Sequence, residues 1–169
     1  MSKNCNPDFD ALTIEPGEIE DAEEILKLQK LAYISEAEIY NDYTIQPLTQ
    51  TLESIQADFS QQTFLKATIN NVIAGSVKGY LEQDTCYICR LIVHPDYQNR
   101  GIGSRLMKEI EERFQQARRY VLFTGHRSER NLRLYDRLGY QPYEKEVISN
   151  CLTIVYMEKV NKSKQRSLM

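Results

Sequence analysis

Apolar residues recur with the helical period in four segments of the chain. The first runs from Glu18 to about Ile34 and carries acidic residues in its first turn, where the helix dipole favours them. After an aromatic and acidic connector from Tyr33 to Gln50, a second helix is predicted from about Leu48 to Phe59. Two further helices are predicted, from Ile102 to about Ala117 and from Ser128 to Leu138.

Alternating or continuous apolar runs predict strands between these helices. Three consecutive runs are separated by short polar turns and predict an antiparallel meander; Asn70-Asn71 tolerates the positive φ of a hairpin. The order of strands and helices predicts a mixed α/β (α+β) sheet. The predicted strands cover 12–15, 63–69, 72–81, 85–94, 120–124, 140–147 and 151–159.

The chain has 169 residues, the size of one domain. We expect that domain to cover 11–159, between a flexible N-terminus at 1–10 and a flexible polar tail at 160–169. No apolar run approaches the ~20 residues of a membrane span, and no apolar block follows Met1 as a signal peptide. The four cysteines lack the dense spacing of a secreted scaffold, so the sequence predicts a cytoplasmic protein.

Charge is divided unevenly along the chain. The net charge of -3 and the pI near 5.5 argue against a nucleic-acid-binding protein, which would be basic. Residues 1–85 hold 15 of the 24 acidic residues, whereas residues 86–169 hold every arginine. Either solvated charge has segregated by chance, or one half of the chain binds a polyanion and the other faces a cation.

A glycine-containing loop, Gln98 to Ser104, lies between an apolar strand and an amphipathic helix. Unpaired N–H groups at a helix N-terminus can bind phosphate, and glycine lets the anion approach them. The alternative is a strand-to-helix turn that needs glycine only for its geometry. A dinucleotide fold is not indicated because Leu106 stands where its third glycine belongs, and the Walker lysine is absent.

The segment from Leu91 to Leu106 resembles the acetyl-CoA signature of the GNAT superfamily of N-acetyltransferases, [QR]-x-x-G-x-[GA] after a strand ending in V-x-P. The segment from Asn131 to Tyr140 resembles the second hallmark of that family. The order of elements matches the family over about 11–159. The resemblance implies a mostly antiparallel sheet of about seven strands with about four helices, splayed between strands 4 and 5.

The resemblance also implies a role for each part of the site. Asn131 holds the pantetheine arm of acetyl-CoA, and Tyr135 is the general acid for the departing thiolate; the alternative for Tyr135 is a core aromatic residue. A bulge leaves the backbone of the fourth strand unpaired for pantetheine. Pantetheine then lies on Leu91, Ile92 and Val93, and the pyrophosphate on Gln98, Asn99, Arg100, Gly101, Ile102, Gly103 and Ser104.

Many relatives place a basic carboxylate on the fourth strand, but this chain has Tyr87, Cys89 and Arg90 there. The base therefore does not carry over from the family, and Glu82 is its predicted substitute by loop position, with Asp84, Glu36 and Asp42 as alternatives. For the acceptor we expect a small cationic amine, bound by acidic and tyrosine residues of the connector, unless that connector is only a solvated loop. Those residues are Glu36, Asp42 and Tyr43, with Glu38 beside them.

Together these features predict an acetyl-CoA-dependent N-acetyltransferase in which the amine attacks the thioester directly. The alternatives are a non-catalytic acyl-CoA-binding regulatory domain and an N-acetyltransferase acting on a protein N-terminus or lysine. Cys86 and Cys89 are three apart on a strand and point to opposite faces, so no metal site is predicted. We expect no nucleic-acid or membrane partner, and a homodimer is left open.

Overall fold

The computed structural model of the protein describes residues 11–165. Its strands are β1 (Thr13–Pro16), β2 (Thr63–Ile69), β3 (Val72–Glu82), β4 (Thr85–Val93), β5 (Arg119–Gly125), β6 (Gln141–Val147) and β7 (Thr153–Val160). They form one 7-stranded sheet in the order β1-β2-β3-β4-β5-β7-β6. Neighbouring strands are antiparallel except β4 and β5, which are parallel. The predicted mixed, mostly antiparallel sheet is confirmed.

Helices cover both faces of this sheet. They are α1 (Ala22–Ala32), α2 (Ile34–Tyr40), α3 (Gln46–Thr49), α4 (Leu52–Phe59), α5 (Ile102–Arg113), α6 (Glu129–Arg137) and α7 (Lys162–Gln165), with short 3-10 helices at Ile19–Asp21 and Pro95–Tyr97. The apolar stripe of α1 and Ile55 of α4 pack on one face. The apolar stripe of α5 packs on the other, together with Tyr135 of α6. No helix among residues 11–165 is long and apolar enough to cross a membrane.

The sheet splays between β4 and β5, as predicted. These strands pair only where Thr85–Tyr87 lies beside Arg119–Val121, and the ladder then ends. On its other edge β4 bulges against β3, since Ser76 pairs with Ile92 while Lys78 pairs with Cys89. At the bulge Arg90 adopts a φ of 52°, in the left-handed region that few non-glycine residues enter. The bulge turns the end of β4 away from β5 and opens a slot in the sheet.

The predicted connector from Tyr33 to Gln50 is wrong in its secondary structure. Residues Ile34–Tyr40 form α2, which ends at Asn41 with φ 49°, and Gln46–Thr49 form the single turn α3. The helix predicted from Leu48 begins instead at Leu52, capped by the Thr51 side chain. At the C-terminus, Val160 ends β7 and residues 162–165 form α7 within the predicted tail. Residues 1–10 and 166–169 lie outside the described part of the chain.

Candidate active site

A cleft of about 430 Å³, here the first cleft, lies between the end of β4, the start of α5 and the start of α6. Most of the residues expected to bind the cofactor line this cleft. Those are Leu91, Ile92, Val93, Gln98, Asn99, Gly101, Ile102, Gly103, Ser104 and Asn131. Arg100 does not line this cleft, and its guanidinium lies 5.5 Å from the centre of the Tyr97 ring.

The backbone at the start of α5 has two residues in the left-handed region and a first turn without acidic side chains. Gly101 is the N-cap residue with φ 79°, and Asn99 has φ 60°. The first N–H groups of any helix lack intrahelical partners, and no acidic side chain occupies this first turn. The two glycines differ: Gly101 needs its positive φ, whereas a Cβ on Gly103 would come no closer than 3.6 Å to Leu134. Packing within the chain therefore leaves room for a Cβ at position 103.

Two arginines of α6, Arg130 and Arg137, line the first cleft. Arg130 donates a hydrogen bond to the Gln98 side chain, whose Nε2 donates to the Val93 carbonyl at 3.2 Å. Burial lowers the pKa of Arg130, which as a guanidinium still keeps its proton. Arg137 lies further along the same wall. These side chains tie β4 to α6 and place positive charge beside the predicted phosphate site.

A second cleft, of about 550 Å³, lies next to the first, at the splay. Its walls come from α2, α3 and α4, from β3 and β4, from β5 and β7, and from α6. The clefts share four residues and therefore meet at the splay of the sheet. The shared residues are Tyr33, Glu36, Leu91 and Asn131.

Tyr135 lies at this junction, on the side of the second cleft. The Tyr135 side chain is 7% exposed and belongs to the core cluster under α5. Tyr135 is therefore a core aromatic residue that also lines a cleft. Burial raises the pKa of Tyr135, and the nearby Tyr33 and Glu36 raise it further. The phenol therefore stays protonated at neutral pH and has a proton to donate.

Glu36 is the acidic residue that the structure brings to the junction. Its carboxylate accepts from Ser128 Oγ at 2.5 Å and from Asn131 Nδ2 at 3.3 Å. Tyr40, one turn later on α2, accepts from the Arg127 backbone N–H at 2.9 Å. These contacts hold α2 against the start of α6 and fix Glu36 where the two clefts meet.

The other predicted acidic and tyrosine residues do not reach either cleft of the described chain. Glu82 pairs with Thr85 at the end of the sheet where β4 and β5 are still joined, opposite to Leu91. Asp42 accepts from the Thr44 N–H and hydroxyl, which lower the pKa of Asp42, and Tyr43 is 56% exposed. Glu82 as base, and Asp42 and Tyr43 as acceptor residues, therefore lose their support.

The floor of the second cleft carries polar residues that the sequence pattern did not single out. Lys78 is 6% exposed and donates to Asp58 Oδ2 at 2.6 Å. The Gln50 amide donates to the same carboxylate at 2.9 Å and accepts from Gln29. Lys78 lies in the buried, mostly apolar middle of β3, and a charged residue at such a position is the signal that could have marked it.

The matching family model covers residues 22–140 and describes the acetyltransferase (GNAT) family. The chain belongs to this family. A curated relative, the UPF0157 protein YqkA of Bacillus subtilis, is 32% identical over 123 residues, which are 73% of this chain and 35% of that protein. The chain thus spans about a third of that relative's length.

Solved structures of GNAT enzymes share the fold. The acetyltransferase of the GNAT family from Streptococcus pneumoniae is 22% identical with TM-score 0.71, over 88% of this chain and 99% of that chain. The PaiA N-acetyltransferase from Thermoplasma acidophilum, solved with coenzyme A, is 21% identical with TM-score 0.66, over 88% of this chain and 98% of that chain. The ribosomal-protein-S18-alanine N-acetyltransferase from Escherichia coli is 15% identical with TM-score 0.73, over 88% and 93%. At these identities the similarity concerns the fold.

The histidines of this GNAT chain have structural partners. His94 Nδ1 accepts from the Asp96 N–H at 3.1 Å, and His126 Nδ1 accepts from the Thr153 N–H at 3.0 Å. Cys86 lies in the core and Cys89 lines the second cleft, on opposite sides of β4. Within residues 11–165 no three His, Cys, Asp or Glu side chains are grouped as metal ligands.

Proposed function

We propose that the protein transfers the acetyl group of acetyl-CoA to a primary amine by direct attack of the amine on the thioester. The observation that carries the proposal is the continuous path from the N-terminus of α5, along the bulged end of β4, to Tyr135 and Glu36 at the junction. Membership of the GNAT family supports the same activity. The neighbour from Thermoplasma acidophilum was solved with coenzyme A in a fold of this kind.

In this proposal each part of the first cleft binds one part of acetyl-CoA. The N–H groups at the start of α5 bind the pyrophosphate, with Arg130 adding positive charge. Backbone groups of β4 beyond Tyr87, no longer paired with β5, bind pantetheine along Leu91 to Val93. Pantetheine then points toward the junction, so the thioester carbonyl lies within reach of an amine in the second cleft.

The chemical step needs one proton acceptor and one proton donor. The amine nitrogen forms a bond to the carbonyl carbon, the carbon–sulfur bond breaks, and the nitrogen loses a proton. We assign Glu36 as the acceptor of that proton, directly or through water, because it is the carboxylate that lines both clefts. Tyr135 donates a proton to the departing sulfur and is protonated at the pH of the reaction.

The principal alternative is a regulatory domain that binds acyl-CoA without turnover. The test is to incubate the protein with acetyl-CoA and a panel of polyamines, amino acids, aminoglycosides and peptides, and to measure acetylated products by mass spectrometry. Binding of acetyl-CoA together with acetylation of an amine supports the enzyme. Binding without any product supports the regulatory domain, and absence of binding contradicts both.

The acceptor predicted from the sequence, a small cationic amine, keeps only one of its three supporting residues. Glu36 lines the cleft, but Asp42 and Tyr43 do not, and the second cleft also carries Lys78 and Arg90. Protein N-termini and lysines remain the alternative acceptors. The same panel separates these classes. If a peptide is acetylated in preference to the free amino acid that forms its first residue, the acceptor is a protein.

A further inference from the structure

We infer that the acceptor amine carries a carboxylate close to its amino group, as an α-amino acid does, and that the Arg90 guanidinium binds this carboxylate. This inference rests on the proposed function, because it names the substrate of the same site.

Arg90 is a cation held at the wall of the second cleft by the bulge of β4. Its left-handed φ of 52° gives its side chain a direction that a regular strand residue would not have. The guanidinium lies 5.6 Å from the centre of the Tyr33 ring and donates through Nη2 to the Gln46 side chain. Its Nε is buried and has no hydrogen-bond acceptor among the described residues.

The arginine also has no acidic partner. None of the ion pairs among residues 11–165 includes Arg90. The other cation of this cleft, Lys78, is neutralised by Asp58 at 2.6 Å. Arg90 is therefore the cation of the cleft whose charge the described chain leaves unpaired. A carboxylate matches the two-donor face of a guanidinium and would also satisfy Nε.

The position of Glu36 explains why the carboxylate should be close to the amine. Glu36 and Arg90 both line the second cleft beside Tyr33. The Arg90 guanidinium lies 5.6 Å from the centre of the Tyr33 ring, and Glu36 follows Tyr33 by three residues, in the first turn of α2. An α-amino acid has its ammonium and carboxylate one carbon apart, so its ammonium faces Glu36 while its carboxylate faces Arg90.

The test compares matched acceptors at saturating acetyl-CoA. Each L-α-amino acid is assayed beside its α-carboxamide and its decarboxylated amine, with product measured by mass spectrometry. The carboxylate makes the adjacent amine more basic and less often deprotonated, so intrinsic reactivity favours the amide. We expect the reverse order: for the preferred side chain, kcat/KM is about 10- to 100-fold higher for the acid.

Variants of Arg90 connect this preference to the side chain. Arg90→Gln should remove the advantage of the acid, because it should lower kcat/KM for the acid about 10- to 100-fold more than for the amide, while Arg90→Lys should restore part of that advantage. Arg113→Gln, which removes an exposed charge at the end of α5, is the matched control and should keep the preference. Thermal unfolding and acetyl-CoA affinity of each variant show whether Arg90 acts only on folding.

The outcomes separate this inference from the proposed function. Failure of the wild-type protein to bind acetyl-CoA contradicts the proposed function. If acetyl-CoA binds but no amino acid is acetylated faster than its amide or decarboxylated amine, the carboxylate inference is wrong. It is also wrong if Arg90→Gln slows acid and amide equally, because Arg90 would then support structure and not the carboxylate.

Discussion

The two clefts that meet at the splay are built in different ways. The first has one continuous segment, residues 91–104, as its largest part, with further walls from α6 and from the end of α1 and α2. The second is lined by α2, α3, α4, four neighbouring strands and α6, which lie far apart in the chain. The first cleft presents backbone N–H groups and glycines beside two arginines of α6, whereas the second presents one paired and one unpaired cation from the strands. The first cleft therefore suits a cofactor that is shared within the family, and the second suits an acceptor that is specific to this protein.

The largest expected effect is that of Tyr135→Phe, which tests whether the two clefts share one reaction. Loss of the proton donor should lower kcat by about 10²- to 10⁴-fold, with acetyl-CoA affinity nearly unchanged. The rate is measured where chemistry limits turnover, and the affinity by calorimetry. Tyr143→Phe, at an exposed position on β6, is the control. An unchanged kcat in Tyr135→Phe removes this residue from the mechanism.

A somewhat smaller loss is expected for Glu36→Gln. The amide can still accept from Ser128 but takes up no proton, so kcat should fall by about 10²-fold or less at neutral pH. Added base or higher pH should recover part of the rate if the lost group was the base. Asp42→Asn lies outside both clefts and should leave kcat and KM as in the parent. Equal effects of the two substitutions would show that the acidic residues act only through overall charge.

The glycines of the first cleft should separate ligand binding from backbone strain. Gly103→Ala fits the packing around it, so it should fold like the parent but weaken acetyl-CoA by about tenfold or more if phosphate approaches this backbone. Gly101→Ala has no steric neighbour but keeps a φ of 79°, which costs about 1–2 kcal/mol of stability. Denaturant unfolding and calorimetry measure the two quantities. Parent-like affinity in Gly103→Ala would place the phosphates elsewhere.

The smallest expected effect is a difference in alkylation rate between the two cysteines of β4, Cys86 and Cys89. It is measured in a variant with Cys5→Ser and Cys151→Ser, so that no other thiol reacts. Burial raises the pKa of Cys86 to about 12 and also raises that of Cys89, which Lys78 and Arg90 partly oppose. Because the thiolate reacts, both alkylation rates should rise with pH. Cys89 lines the second cleft and should react with iodoacetamide about tenfold faster than the core residue Cys86. Peptide mass spectrometry distinguishes them, and equal rates would show that the second cleft is closed to small molecules.

Much of the fold followed from local pattern. Helical and alternating periodicities identified all seven strands and the four principal helices among the described residues. The pattern failed between Tyr33 and Gln50, where a polar, aromatic segment has weak periodicity and α2 is held by contacts to α6. Those contacts are 87 to 95 residues apart in sequence, so no local window contains them.

The sequence by itself determined the loop at the start of α5, because a strand end, a glycine loop and a helix start are consecutive in the chain. The other walls of the first cleft, from α2 and α6, come from distant segments. The sequence could not decide which carboxylate reaches the amine. Glu82 loses support because the direction of β3 and β4 puts their turn at the joined end of the sheet, whereas α2 brings Glu36 to the open end. The burial of Lys78 with Asp58 and the unpaired charge of Arg90 likewise depend on tertiary packing, since desolvation and pairing are properties of the assembled cleft.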